Sequence, residues 1–214
     1  MTAASNTDER TSLIEEMCSA AEAFYRAGWV FAHSGNMSFR LGNDTFLIST
    51  TGSHLGRLNA DGFVDVDADG SPLDDSEQGP SQDTPLHLTI YDNVDNAGAV
   101  FHVHHLEAAL CSDRDNKRGF THLHDIRMIH ALGIEGDEPK VNIPIVKRAD
   151  VDTFTETLQD TPEVPCLNVE NHGIYVWGQT PQDARRHVEA LAYLFEYSWQ
   201  RPMNPKKSTS ITGF

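Results

Sequence analysis

The sequence has few cysteines and no segment typical of export or of a membrane span. Its three cysteines, Cys18, Cys111 and Cys166, are odd in number and far apart, so they form neither a disulfide framework nor a Cys-x-x-Cys motif. The first residues lack the basic and apolar stretches of a signal peptide, and no apolar run approaches the roughly 20 residues that cross a bilayer. We therefore expect a protein of the reducing cytoplasm.

Positive charge is also scarce. Lysine and arginine number 16 against 32 aspartates and glutamates, which gives a formal net charge of -16 over 214 residues. A nucleic acid requires a basic face, and an anionic membrane surface attracts basic segments, so neither is an expected partner. If the protein binds a phosphorylated molecule, it must build a locally favourable pocket against its own negative field.

The hydrophobic pattern predicts one α/β domain with helices packed around a central sheet. Helical spacing of apolar residues follows Asp8, and short apolar or alternating runs alternate with further helical segments. Residues 141–146 read as a strand with a proline in it, which favours an edge position. Thr180 and Pro181 have the cap and first-position chemistry of a long helix. We predict a flexible N-terminus at residues 1–10, a single domain at 11–200 and a polar tail at 201–214.

Candidate metal ligands occur where an apolar strand ends. His102 and His104 are separated by one residue, so on a strand they share a face and reach the same ion. A third histidine, His172, stands in a predicted tight turn between two strands. Three protein ligands with one open position is the pattern of catalytic zinc. His87 could compete for a ligand role, but it lies in a predicted helix, so we interpret it as a partly buried packing residue. For the separate cluster of His122, His124 and His130 we expect no metal.

Glycine-containing turns are the second chemical feature. Gly35 and Gly52 each stand among small polar residues, a composition that lets backbone N–H groups approach an anion. Residues 80–84 precede a predicted helix, whose first amides could also hold a phosphate. Such turns usually only connect elements, but three of them accompany the histidine pair in this sequence.

Taken in order, these motifs resemble those of the class II aldolase/adducin family, over residues 13–197. The motifs are Ser34-Gly35-Asn36-Met37-Ser38, Ser49-Thr50-Thr51-Gly52, Pro80-Ser81-Gln82-Asp83-Thr84-Pro85-Leu86-His87, His102-Val103-His104 and Asn171-His172-Gly173. The resemblance implies a three-layer α/β/α fold with a central, mostly antiparallel sheet. It also implies a homo-oligomer, such as a homotetramer, with sites near subunit interfaces. Residues 171–178, 183–191 and 143–146 are most similar to a dehydratase branch of the family.

The resemblance also implies a site. Zinc would be held by His102, His104 and His172, and the substrate would be a small phosphorylated ketose. The residues implied for the substrate and its phosphate are Gly35, Asn36, Thr51, Gly52, Ser81 and Gln82.

The acid/base is where this sequence departs from the family. The dehydratases have a glutamate just before a short apolar helix, and the alignment places Arg127 there. Asp125 is the only carboxylate in that stretch, so we predict Asp125, with His124 as the alternative, for the acid/base. A further candidate is Asp83, at a position where the aldolases of the family have a glutamate base.

Three hypotheses therefore stand at this point. The first is zinc-dependent dehydration of a sugar phosphate, and the second is a retro-aldol or decarboxylation reaction that uses Asp83. The third is a non-catalytic, adducin-like binding module, against which the three histidines argue.

Overall fold

A computed structural model describes residues 3–42, 44–74, 78–161 and 163–201 of the chain. Within these residues the helices are α1 (Ala3–Ala27), α2 (Thr84–Asn93), α3 (Leu106–Asp115), α4 (Val151–Asp160) and α5 (Pro181–Gln200). The strands are β1 (Asn36–Arg40), β2 (Thr45–Ser49), β3 (Phe63–Asp67), β4 (Ala99–Val103), β5 (Phe120–His124), β6 (Lys140–Val146), β7 (Cys166–Val169) and β8 (Gly173–Gly178). Short 3-10 helices cover Leu55–Arg57, Ala60–Gly62 and Arg127–Leu132.

The strands form one sheet in the order β3-β2-β1-β4-β8-β7-β6-β5. Neighbouring strands are antiparallel except for β6 and β7, which are parallel. The pairing brings β1 and β8 to either side of β4, with Asn36 opposite His102 and Val103 opposite Ile174. The C-terminal end of β4 therefore meets the start of β1 and the β7–β8 turn.

Helices cover both faces of the sheet, which gives three layers. On one face, Phe24 of α1 and Leu191 of α5 pack in a core with Phe101 of β4. On the other face, Ile90 of α2 and Phe154 of α4 share a second core with the strands. This architecture confirms the predicted α/β/α fold with a mostly antiparallel sheet.

The predicted edge position of the proline-containing strand is wrong, because β6 lies between β5 and β7. Pro144 lies opposite Phe120 of β5, whereas β6 pairs with β7 only through Ile145 and Val146. The residues before Ile145 thus pair on one side only, so the missing N–H of Pro144 removes no bond to β7.

The ends of the helices test the remaining predictions. Thr180 caps α5 by accepting a hydrogen bond from the Asp183 N–H, and Pro181 is the first helical residue, as the sequence predicts. Helix α1 begins at Ala3, so the domain boundary predicted at residue 10 falls inside a helix. The predicted tail, from residue 202 onward, lies outside the described residues. No helix of the described chain combines the length and the apolar character that crossing a membrane requires.

Candidate metal centre

Three histidines from two parts of the chain converge at one end of the sheet. His102 is on β4 and His104 follows directly after that strand, while His172 lies in the turn between β7 and β8. The turn reaches β4 because β8 pairs with β4 along its whole length. Asn171 supports the turn in a left-handed conformation, with φ of 56°.

The ring nitrogens of these histidines point at one another. The Nε2 atom of His104 lies 3.0 Å from Nε2 of His102 and 3.1 Å from Nε2 of His172. One ligand atom from each of the three histidines lies within 4.8 Å of the other two. Three imidazoles cannot all donate protons to one another, so an arrangement of this kind is suited to a shared cation. The cluster could hold one metal ion.

The protonation states favour metal binding as well. The Nδ1 atom of His102 donates to the carbonyl oxygen of Ile174 at 3.0 Å, which leaves a lone pair on Nε2. Burial, and then the neighbouring His104 and His172, lower the pKa of His102. Burial, followed by His172, lowers the pKa of His104 to about 4. Both imidazoles are therefore neutral at pH 7, which is the form that binds metals.

A carboxylate and a tyrosine border the cluster. The Oδ2 atom of Asp83 lies 3.9 Å from Nε2 of His102. The ring of Tyr175 stacks on the ring of His102, with centroids 4.0 Å apart and planes at 9°. Burial, and then the Asp83 carboxylate, raise the pKa of Tyr175 above its ordinary value. Asp83 is thus the sequence-predicted acid/base that the structure brings to the histidines.

The glycine turns meet beside this cluster. Gly35 and Gly52 have φ of 78° and 70°, and a Cβ atom on Gly35 would lie 2.6 Å from the His102 carbonyl oxygen. No side chain fits at Gly35 without moving β4. The Nδ1 atom of His33 donates to the Gly52 carbonyl oxygen at 2.8 Å, so the two turns are joined.

The other predicted substrate residues lie around the same turns. The backbone N–H of Thr51 donates to the Gly79 carbonyl oxygen at 3.0 Å, which holds the Gly52 turn against the segment before α2. Ser81 is buried in that segment, while Gln82 and Thr51 are exposed. The side-chain amide of Asn36 bonds at both ends to protein groups, so it is not free to bind a ligand.

Asp125 and His124, the other acid/base candidates, lie far from the histidines of their own chain. Their strand, β5, places His124 opposite Lys140, whereas the other end of β6, at Val146, lies level with Val169 beside the metal end. At about 3.3 Å per residue, the stretch from Lys140 to Val146 spans roughly 20 Å. Asp125 is exposed and is paired with His124 at 2.8 Å.

Arg127 is exposed at the start of a 3-10 helix on the same distant edge. Arg127 therefore does not stand in for a glutamate beside the histidine cluster of its own chain.

Sequence reasoning missed a buried polar network beside the cluster. His87 was interpreted as a packing residue, and it is fully buried, but it also bonds to Asn36 and Ser38. A signal was present: Asn36 and Ser38 are two apart on a strand, and Asp83, His87 and Tyr91 are four apart along a helix. These spacings place each set on one face. Pairing of the two faces depends on tertiary contacts that no spacing reveals.

Comparison with known proteins identifies the family. Residues 15–199 match the model of the class II aldolase and adducin N-terminal domain. The chain belongs to this family. The match covers the histidine cluster, Asp83 and the glycine turns, so the resemblance deduced from the motifs is confirmed.

Two curated relatives align with more than four-fifths of this chain. The methylthioribulose-1-phosphate dehydratase of Persephonella marina is 36% identical over 178 residues, which cover 81% of this chain and 82% of the relative. The enzyme of the same name from Methylococcus capsulatus is 36% identical over 187 residues, which cover 85% and 90% of the two chains.

Solved structures agree with the fold. YgbL from Escherichia coli superimposes with a TM-score of 0.72 at 28% identity, covering 91% of this chain and 93% of its own. The L-fuculose-1-phosphate aldolase of Thermus thermophilus gives a TM-score of 0.70 at 19% identity, covering 86% and 91%. The second likeness concerns the fold alone.

Proposed function

We propose that this protein is a zinc-dependent dehydratase in methionine salvage. Its substrate is 5-methylthioribulose 1-phosphate, and its products are 2,3-diketo-5-methylthiopentyl 1-phosphate and water. The observation that carries the proposal is the convergence of His102, His104 and His172 beside Asp83. Relatives that bear the dehydratase name and match four-fifths of the chain support this choice of substrate.

Zinc fits the histidine cluster by geometry and by ligand type. Zinc–nitrogen bonds of about 2.0–2.1 Å in a tetrahedron separate two ligand nitrogens by roughly 3.3 Å. The Nε2 atoms of this cluster are 3.0 and 3.1 Å apart, so a small movement of the rings admits the ion. Three imidazole ligands, with no fourth protein ligand grouped with them among the described residues, leave a position for substrate oxygens. When bound, the ion would supply Lewis-acid stabilisation of the negative charge that develops on those oxygens.

Asp83 is the residue we assign to proton transfer. Its carboxylate is about one-third exposed, so a substrate reaches it, and it lies next to His102. In its ionised form it accepts the proton that leaves a carbon of the substrate. The protonated carboxyl group then returns a proton to the departing hydroxyl, so that one water is lost and Asp83 is ionised again.

The glycine turns are the proposed phosphate site. Backbone N–H groups of Gly35 and Gly52 would face the phosphate, with Asn36 and Thr51 in the same two turns and Ser81 and Gln82 at its side. The segments that carry these residues contain no lysine or arginine. Binding would therefore depend on backbone N–H groups of the turns and on hydroxyls, because the Thr84 and Leu86 N–H groups at the start of α2 already donate to Ser81 and Asp83 carbonyl oxygens.

A second reaction remains a candidate because Asp83 is the predicted acid/base that lies near the histidine cluster, and it occupies the position of the aldolase base. Within one chain Asp125 and His124 are too distant to act, and they could serve the reaction only in a neighbouring copy. A zinc-dependent aldolase or decarboxylase acting on a related sugar phosphate would need no acid other than Asp83. A non-catalytic adducin-like module would have no need of three convergent histidines.

Turnover of methylthioribulose 1-phosphate by the zinc-loaded protein tests the proposal. A product lighter by one water, identified by mass spectrometry, is the expected result. Cleaved or decarboxylated fragments would replace the dehydratase with the second reaction. Absence of turnover on this substrate, with zinc bound, would exclude it.

We also propose that the enzyme is a cytoplasmic homotetramer. The family resemblance implies sites near subunit interfaces, and the exposed aromatic residues Tyr193, Tyr197 and Trp199 of α5 support an interface. Light scattering would then give about four times the 23.8 kDa mass of the chain. The mass of a single chain at micromolar concentration would exclude the oligomer.

A further inference from the structure

The geometry points to a positioning role for Tyr91, Ser38 and His87, which hold Asp83 in place through Asn36 by a one-directional chain of hydrogen bonds. These residues stand behind the proposed acid/base and do not touch the substrate. The inference rests on the proposed function only in taking Asp83 as the group that transfers the proton. The chain itself is a property of the folded protein.

The chain consists of four consecutive short hydrogen bonds. The Tyr91 hydroxyl lies 2.7 Å from Ser38 Oγ, which lies 2.7 Å from Nδ1 of His87. The Nε2 atom of His87 lies 2.6 Å from Oδ1 of Asn36. The Nδ2 atom of Asn36 donates to Oδ2 of Asp83 at 2.7 Å.

Two regular elements supply alternate members of this chain. Strand β1 places Asn36 and Ser38 on the same face, and α2 places His87 and Tyr91 one turn apart, with Asp83 at its N-cap. Each of the four bonds joins a residue of β1 to a residue of α2 or its N-cap, so a shift of α2 along β1 would disturb all four bonds.

The direction of the hydrogen bonds follows from the chemistry of the end groups. An amide oxygen only accepts, so Nε2 of His87 carries a proton that it donates to Asn36. Burial lowers the pKa of His87 to about 4, so the ring is neutral and its Nδ1 atom accepts the proton of Ser38. Ser38 then has no proton for Tyr91, and the Tyr91 hydroxyl donates to it. Every bond therefore runs towards the Asp83 carboxylate.

The hydrogen-bonded chain is buried except at the proposed site. Tyr91, Ser38 and His87 are 3%, 1% and 0% exposed, whereas the Asp83 side chain is 29% exposed. Water cannot readily replace a missing link in the interior, and aligned hydrogen bonds in a low-dielectric interior reinforce one another. The buried part acts as a rigid support, and only its last member faces the substrate.

The test combines one physical and one kinetic measurement on the full-length, zinc-loaded protein. Long-range proton–nitrogen NMR, with His87→Gln for assignment, should find the proton of His87 on Nε2. Ser38→Ala should lower kcat about 10-fold, as the loss of such supporting partners commonly does, and Tyr91→Phe about 3-fold. KM should stay within about two-fold because neither residue is expected to contact the substrate.

Thr89→Val is the matched control. Like Ser38→Ala, it removes a buried hydroxyl, and this hydroxyl lies on α2. Within the described part of the chain it bonds only to the Pro85 carbonyl oxygen of the same helix. A merely structural role for Ser38 would lower the melting temperature of Ser38→Ala and Thr89→Val alike without a selective loss of kcat. Equal kcat for the two variants, or a proton on Nδ1 of His87, would overturn the inference.

Failure of the proposed function would be recognised separately. If the wild-type protein does not turn over methylthioribulose 1-phosphate, the dehydratase proposal falls, but the His87 tautomer and a crystal structure of Ser38→Ala still decide the inference. An Asp83 side chain that keeps its position in that crystal would overturn it, and a displaced one would support it.

Discussion

His102 donates from Nδ1 to the carbonyl oxygen of Ile174, and this 3.0 Å bond turns its Nε2 atom towards His104. The bond is made possible by the antiparallel pairing of β4 with β8, so the sheet itself orients the His102 ring. Backbone partners of this kind fix both the tautomer and the ring angle of a ligating histidine. The fold therefore orients this member of a histidine cluster that could hold a metal ion.

Removal of the central ligand should abolish metal binding. His104 is the residue whose Nε2 atom lies near both other Nε2 atoms, so His104→Ala leaves only two ligands. We expect the purified variant to retain less than about a tenth of the zinc of the wild type, since a stable site requires three protein ligands. Elemental analysis after dialysis measures this.

His122→Ala is the control for that measurement. His122 is an exposed histidine of β5 that bonds to Asn142, and it is not part of the cluster. Retention of one zinc per chain is expected for this variant. Zinc retained in full by His104→Ala would refute the assignment of the centre.

Substitution of Asp83 should lower kcat strongly, whereas substitution of Asp125 should leave kcat nearly unchanged. Asp83 lies 3.9 Å from His102, whereas Asp125 lies at the distant end of β5. We expect Asp83→Asn to lower kcat about 100-fold with zinc still bound, as expected for the loss of an acid/base group. Asp125→Asn should stay within about two-fold, the range typical of surface changes.

A large loss in Asp125→Asn would mean that Asp125 acts on the site of a neighbouring copy. Mixing Asp125→Asn with His104→Ala would then restore activity, because a mixed oligomer contains some intact sites. No restoration is expected under the present proposal.

The sequence predicted the histidine cluster better than the positions of the acid/base candidates. His102 and His104 share a strand, and residues two apart face the same way whatever the neighbouring strands are. His172 was predicted from a turn between two strands, and these are β7 and β8, of which β8 pairs with β4. Asp125 was placed by alignment alone, and its distance from the histidines depends on strand order, which hydrophobic periodicity does not encode.

The buried network was beyond the sequence for a related reason. His87 looks like any helix histidine until β1 is packed against α2, because its partners come from a segment about 50 residues earlier. The edge prediction for β6 failed in the same way: a proline reports one missing N–H, not which neighbour the strand has. Local chemistry was predictable here, and long-range pairing was not.

The cap of α5 offers a stability test that is independent of catalysis. Thr180 Oγ1 accepts a hydrogen bond from the Asp183 N–H at the exposed start of the helix. Thr180→Ala should lower the free energy of unfolding by about 1 kcal/mol. Urea denaturation of the zinc-free protein measures this. Thr155→Ala, which removes a hydroxyl bonded within α4, should change stability by less than about 0.5 kcal/mol.

Acid should destabilise the zinc-free protein, and part of this loss of stability should come from the protonation of His87 in the unfolded chain. Burial lowers the pKa of His87 to about 4, whereas the unfolded chain has the ordinary value near 6.5. Between these values the unfolded state binds the proton and the folded state does not, so stability is present above about pH 6.5 and is lost as the pH falls towards 4. From pH 7 to pH 5 the contribution of His87 to the free energy of unfolding should fall by about 2 kcal/mol.

Comparison with His87→Gln isolates this contribution. The variant is expected to be less stable at pH 7, since it breaks bonds to Asn36 and Ser38, but it should lose about 2 kcal/mol less than the wild type on going to pH 5. The other histidines whose pKa burial lowers titrate in both proteins, so their effect cancels in the difference; they are His102, His104, His105 and His187. Parallel curves for the two proteins would mean that the folded state binds a proton at His87 as readily as the unfolded chain does.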